Sequence, residues 1–124
     1  VPLQLNRRNR QDRLVAEAQA RIGAAALRAE DARRELGAEY RGAVADYEGA
    51  QAQLRRIDKE AIPALEGAFK AAEARYEGGG GGTLDQPFAI VRRYVEVQIQ
   101  SVEAQAARAR AAAQILHVHG ETHR

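Results

Sequence analysis

The chain has no cysteine, methionine or tryptophan, and aromatic residues fill only 5% of its 124 positions. The lack of cysteine rules out disulfide cross-links but is compatible with any compartment. With so few large side chains, each residue buries little area, so a thick mixed core is out of reach. The length allows one domain at most, or part of one. No apolar run reaches the length of a membrane-spanning helix and no secretory leader is visible. Either the chain is soluble, or its targeting and membrane parts lie outside this segment.

What is present favours helix. Alanine occurs 27 times and charged residues make up 29%. Ala, Arg, Glu and Gln lose little rotamer freedom in a helix. The net charge of +2 is unevenly spread. Residues 1–13 hold four Arg and one Asp, whereas residues 14–77 hold ten basic and twelve acidic side chains. The second stretch reads as a solvated helix surface, with Glu17–Arg21, Glu30–Arg34 and Glu66–Lys70 at supportive i,i+4 spacing.

Val1-Pro2-Leu3-Gln4-Leu5 alternates apolar and polar residues, which predicts a strand end over 1–5 with Pro2 at its edge. Asn6 or Asn9 then offers a helix N-cap. From about residue 10 to 77 only Pro63 interrupts a helical pattern, which at the usual rise is roughly 100 Å of helix. Its apolar positions form a heptad: Val15, Ile22, Ala26, Ala29, Leu36, Tyr40, Ala43, Tyr47, Ala50, Leu54 and Ile57, interrupted once by Arg33. After Ala61 the phase slips by one residue, and Ile62, Leu65, Phe69, Ala72 and Tyr76 continue the line. Pro63 at that slip predicts a kink or an unwound turn. Gly23, Gly37, Gly42, Gly49 and Gly67 weaken the helix but would let neighbouring backbones approach closely.

Five glycines, 78–82, end this helix. Thr83 or Asp85 is expected to cap a second one, with Pro87 in its first turn. Its stripe runs through Phe88, Val91, Val95, Ile99, Val102, Ala106, Ala109, Ala113 and Leu116, and it should end near 119 with Gly120 as the C′ residue. The expected fold is all-α: a long antiparallel coiled-coil hairpin with helices at about 10–77 and 84–119, a glycine turn at 78–82, and residues 78–83 as its tip. Ile90, Tyr94 and Val97 lie off the main stripe, as do Leu14 and Val44 in the first helix. A hairpin covers one seam per helix, so these residues want further neighbours, and the chain reads as one stave of a larger barrel or bundle.

Two segments resemble the TolC family of outer-membrane efflux proteins, and within it the CzcC- and CusC-like metal-efflux branch. Val1-Pro2-Leu3-Gln4-Leu5 followed by Asn6-Arg7-Arg8-Asn9-Arg10 is similar to that family's strand-to-helix junction, placed at residues 1–9. Tyr76-x-x-Gly79, then Leu84-Asp85 and Ala89, resembles its helix-turn tip, and Pro63 falls where metal-efflux members often carry proline. The resemblance implies one periplasmic hairpin of an outer-membrane, homotrimeric channel in a Gram-negative bacterium. Such a hairpin is a passive duct segment for metal ions or small toxic compounds in a tripartite system, touching the membrane only through β-barrel strands outside this segment. Its tip, with Tyr76, Gly79, Thr83, Leu84 and Asp85, would meet a periplasmic adaptor protein and an inner-membrane pump. Asp85 matches an acidic position that constricts the channel mouth in some members. The sequence departs from the family at Gln86-Pro87 and at Phe88, which replaces the second acidic residue. An adaptor hairpin and a generic coiled-coil interaction module are the alternatives.

The remaining candidates have plain readings. His117 and His119, with His123, are weak candidates for metal, because residues two apart point to different sides of a helix. Arg7, Arg8, Arg10 and Arg13 carry no interleaved aromatics, so no nucleic-acid partner is expected. Asp85 reads equally as a helix cap. The glycine run lacks the preceding strand and following Lys of a phosphate loop. No catalytic set stands out, no cofactor is implied, and an enzyme is not expected.

Overall fold

The computed structural model describes residues 2–80 and 83–123 of the chain. Among them the architecture is all-α, with no strand: α1 spans Pro2–Arg56, a π-helical turn Ile57–Ala61, α2 Ile62–Glu77 and α3 Asp85–Thr122. The chain divides into two units, Val1–Glu39 and Tyr40–Arg124.

The first unit is helical from Pro2, which corrects the strand expected over 1–5; Val1 lies outside the described residues. The physical reason is local. A proline in the first turn forfeits only an N–H that would have no partner anyway, and its φ is already helical. The Leu, Gln and Arg that follow are good helix formers, and among the described residues there is no neighbouring strand for Pro2–Leu5 to join. Asn6 and Asn9 therefore lie inside the helix and cap nothing. Gln4 to Glu35 are exposed apart from half-buried Ala24. The predicted pairs Glu17–Arg21 and Glu30–Arg34 form at 2.6 and 3.2 Å, both in solvent where such pairs contribute little.

The second unit is the antiparallel hairpin. Gln51 faces Arg108 (3.0 Å), Ile57 and Ala61 share a groove with Gln100, Leu65 and Phe69 share one with Ile90 and Tyr94, and Ala72 one with Gln86 and Ala89. Numbers rise on one strand of the hairpin as they fall on the other. Along α3 the inward line is Ile90, Tyr94, Val97, Ser101, Ala104, Arg108, Ala111, Ile115 and Val118, an unbroken alternation of four and three. Val97 and Val118 are each only 2% exposed.

That seam corrects the sequence reading. The bulkier stripe through Phe88, Val91, Val95, Ile99, Val102 and Leu116 lies exposed, whereas of the line expected to be surplus Val97 is buried, Ile90 half-buried and Tyr94 39% exposed. The partner seam explains the choice. Its buried residues are Ala43, Ala50, Leu54, Ile57 and Ala72, and the three alanines let the two backbones approach and gain dispersion contacts. Bulky side chains on both sides would hold the helices apart.

The phase slip is absorbed by the π-helical turn, whose closing bond runs from the Ile62 amide to the Ile57 carbonyl. One extra residue in that turn moves the seam from Ile57 and Ala61 to Leu65 and Ala72. Pro63 follows directly, inside the first turn of α2. It has no amide to give to Lys59, so a locally widened turn is the cheapest place to lose that bond. Gly23, Gly42, Gly49 and Gly67 do not mediate close approach as expected, since a Cβ added at any of them would meet nothing within 4 Å.

Candidate partner-docking tip

The turn begins as a helix terminus. Gly78 closes α2, and Gly79 then takes φ +68°, a left-handed conformation open to glycine at little cost. Its amide donates to the Tyr76 carbonyl (3.3 Å) and the Gly80 amide donates to the Arg75 carbonyl (3.3 Å). These two bonds are the Schellman closure, and they satisfy carbonyls that the helix would leave bare. Among the described glycines of the run, only Gly79 needs to be glycine for its backbone. Gly81 and Gly82 lie outside the described residues.

The returning helix starts without a side-chain cap, correcting the expectation for Thr83 and Asp85. Leu84 occupies the N-cap position in helical conformation, and the Phe88 amide donates to its carbonyl at 3.2 Å. Asp85 is the first residue of α3, exposed, where its charge is favoured by the helix dipole without a direct capping bond. Pro87 sits in the first turn and has no N–H there to leave unsatisfied.

Of the docking residues read from sequence, Tyr76, Thr83, Leu84 and Asp85 are exposed around the Gly79 turn. Phe88 joins them: it is 64% exposed and one helical turn beyond Leu84. The i,i+4 spacing of Leu84 and Phe88 carries that signal in the sequence, where Phe88 reads as part of the α3 stripe. Below the tip, Leu65, Phe69, Ile90, Val91 and Tyr94 line an open groove between α2 and α3, with Glu66 and Lys70 at its edge. The tip thus offers aromatic and aliphatic surface, the carboxylates of Glu77 and Asp85, and a helix N-terminus.

At the opposite end of α3, the histidines diverge. His117 Nε2 lies 3.2 Å from Glu121 Oε1, while the His119 ring meets that of His123 edge-on at 4.6 Å. Among the described residues no three His, Asp or Glu side chains converge on one point. Gly120 is not the C′ residue, because α3 continues to Thr122, whose hydroxyl donates to the His119 carbonyl at 2.8 Å. No helix among the described residues is long and apolar enough to cross a membrane.

No protein-family model, curated protein or solved structure matches the chain.

Proposed function

We propose that the chain is a non-catalytic helical stave, one periplasmic hairpin of an outer-membrane efflux channel of the TolC type. In this reading it lines a passive duct for metal ions or small toxic compounds. One observation carries it: α3 has apolar lines on two faces, and the hairpin covers only the one through Val97 and Val118, leaving Val95, Ile99 and Val102 exposed. A helix built to be covered twice belongs between neighbours. The resemblance of the Tyr76–Ala89 segment to the family's tip supplies the direction, with the tip in the periplasm against an adaptor protein and an inner-membrane pump. The full-length channel would be a homotrimer, and Asp85 would stand at or near its mouth.

The test is a resistance assay in a Gram-negative host with the full-length protein. Leu84→Asp or Gly79→Trp should abolish export while circular dichroism stays helical. Folded tip variants that export as well as the parent would remove the docking assignment.

One finding favours a second reading. Pro2–Leu5 is helix rather than the end of a barrel strand, as suits an adaptor hairpin or a coiled-coil interaction module. Residues encoded upstream of Val1 separate the three: amphipathic strands accompany a channel, a lipoyl-like segment accompanies an adaptor, and neither accompanies a simple interaction module.

A further inference from the structure

The exposed line of α3 has a fitting counterpart in the first unit. There, Val15, Ala18, Ile22, Ala25, Ala29, Ala32 and Leu36 repeat at alternating three and four, and all but half-buried Leu36 are exposed. On α3 the exposed line runs Phe88, Val95, Ile99, Val102, Ala106. We propose that the two lines pair between two copies of this chain, each copy's first unit running parallel to α3 of the other in a two-fold symmetric dimer.

Charge fixes both the partner and the register. In a parallel pair, the residue just before one core position meets the residue five places on in the partner. On the first unit those flanking residues are Arg21, Arg28 and Glu35; on α3 they are Glu96, Glu103 and Arg110, all six exposed. Set Arg21 against Glu96, and Arg28 meets Glu103 while Glu35 meets Arg110. All three pairs are attractive. A shift of one heptad puts Arg28 against Arg110 or Glu35 against Glu103. Reversing the direction places Arg21, Arg28 and Glu35 beside Gln105, Gln98 and Val91 and forfeits all three pairs. Arg21 and Glu96 already hold Glu17 (2.6 Å) and Arg93 (2.9 Å) on their own helices, and exposed carboxylates and guanidinia can be shared.

The same register stacks small against large. Ala18 falls opposite Phe88, Ala25 opposite Val95, Ala29 opposite Ile99, Ala32 opposite Val102 and Leu36 opposite Ala106. One layer is polar, Ile22 opposite Arg92, whose long side chain can reach solvent at the edge. None of this rests on the efflux reading. In a duct the exposed face of α3 would meet a neighbouring stave; the dimer is the state of the chain on its own.

Sedimentation of the full chain at rising concentration should give a dimer. Two charge-reversed chains, Arg21→Glu/Arg28→Glu and Glu96→Arg/Glu103→Arg, should each dimerise about a hundredfold more weakly or worse, because four attractive pairs per dimer become repulsive. Mixing them should restore a 1:1 heterodimer, since both contacts then become attractive again. Helicity of each variant, read in parallel, shows that the chains are folded. A strictly monomeric parent, reversed chains that dimerise like the parent, or a mixture that stays apart would each overturn the proposal.

Discussion

Gln51 shows how one side chain changes meaning once its neighbour is known. It lies in the stretch 14–77, which by sequence reads as a solvated helix surface. In the structure it is half-buried and its Oε1 accepts from Arg108 Nη1 at 3.0 Å, across the hairpin. The Arg108 guanidinium already makes that bond charge-assisted, and a carboxylate at 51 turns it into an ion pair. Gln51→Glu is therefore expected to stabilise the hairpin by about 0.5 kcal/mol, raising the thermal midpoint by about 2–4 °C, whereas Gln51→Leu should lower it. An unchanged midpoint in both would show that the bond contributes nothing. The glycines divide in the same way. Gly49 and Gly67 sit within helix with open space where a Cβ would go, so alanine at each should add about 0.5–1 kcal/mol. Gly79 holds φ +68°, and alanine there should cost about 1–2 kcal/mol. Thermal melts of the three variants decide it, and Gly79→Ala melting above the parent would mean that the Schellman turn is misassigned.

At the level of elements, the π-helical turn has two possible causes, the missing amide of Pro63 and the one-residue slip of the apolar line. They predict different things. If the slip dominates, Pro63→Ala alone leaves the turn in place, because Leu65 and Ala72 must still face α3. Deleting Lys59 in the Pro63→Ala background removes both causes and should give uninterrupted α-helix without loss of stability. An i→i−5 bond from the Ile62 amide, visible by NMR in Pro63→Ala and absent in the deletion, is the expected signature; its disappearance in Pro63→Ala would assign the turn to proline alone. This slip was readable in the sequence, because phase is a property of spacing, and so were the hairpin, its turn and the interruption before Pro63. What was not readable was which face of α3 turns inward. Phe88, Val95 and Ile99 outrank Val97, Ser101 and Ala104 in hydrophobicity, but burial was decided by fit to Ala43, Ala50, Leu54, Ile57 and Ala72 on the other arm of the hairpin. A single helix pattern does not contain its partner. The Val1–Leu5 alternation misled for a related reason: a strand pattern is only as good as the neighbouring strand that would accept it. At the tip, Tyr76, Leu84 and Asp85 were legible because a turn must be exposed, while the absent side-chain cap depended on Leu84 already being helical.

For the whole molecule, the two faces of α3 carry different roles, and a charge placed on each separates them. Val97 is 2% exposed and Val95 is 52% exposed, two residues away on the same helix. Lysine at 97 would bring an ammonium into a buried, largely apolar seam, and either strands the charge or parts the helices. A loss of several kcal/mol is expected, a large fraction of what holds so thin a core. Lysine at 95 leaves the hairpin seam untouched and only adds charge to an uncovered line. Val97→Lys should therefore lose its cooperative melt, read by circular dichroism, while Val95→Lys keeps parental helicity and melts cooperatively as a monomer. In a sedimentation experiment Val95→Lys should shift toward monomer, because the line it interrupts faces the neighbour and not the hairpin. Were Val95→Lys to unfold the chain and Val97→Lys to leave it intact, the inward and outward faces would have to be exchanged. The bulky stripe would then be the hairpin core, and the stave reading would lose the surface on which it stands.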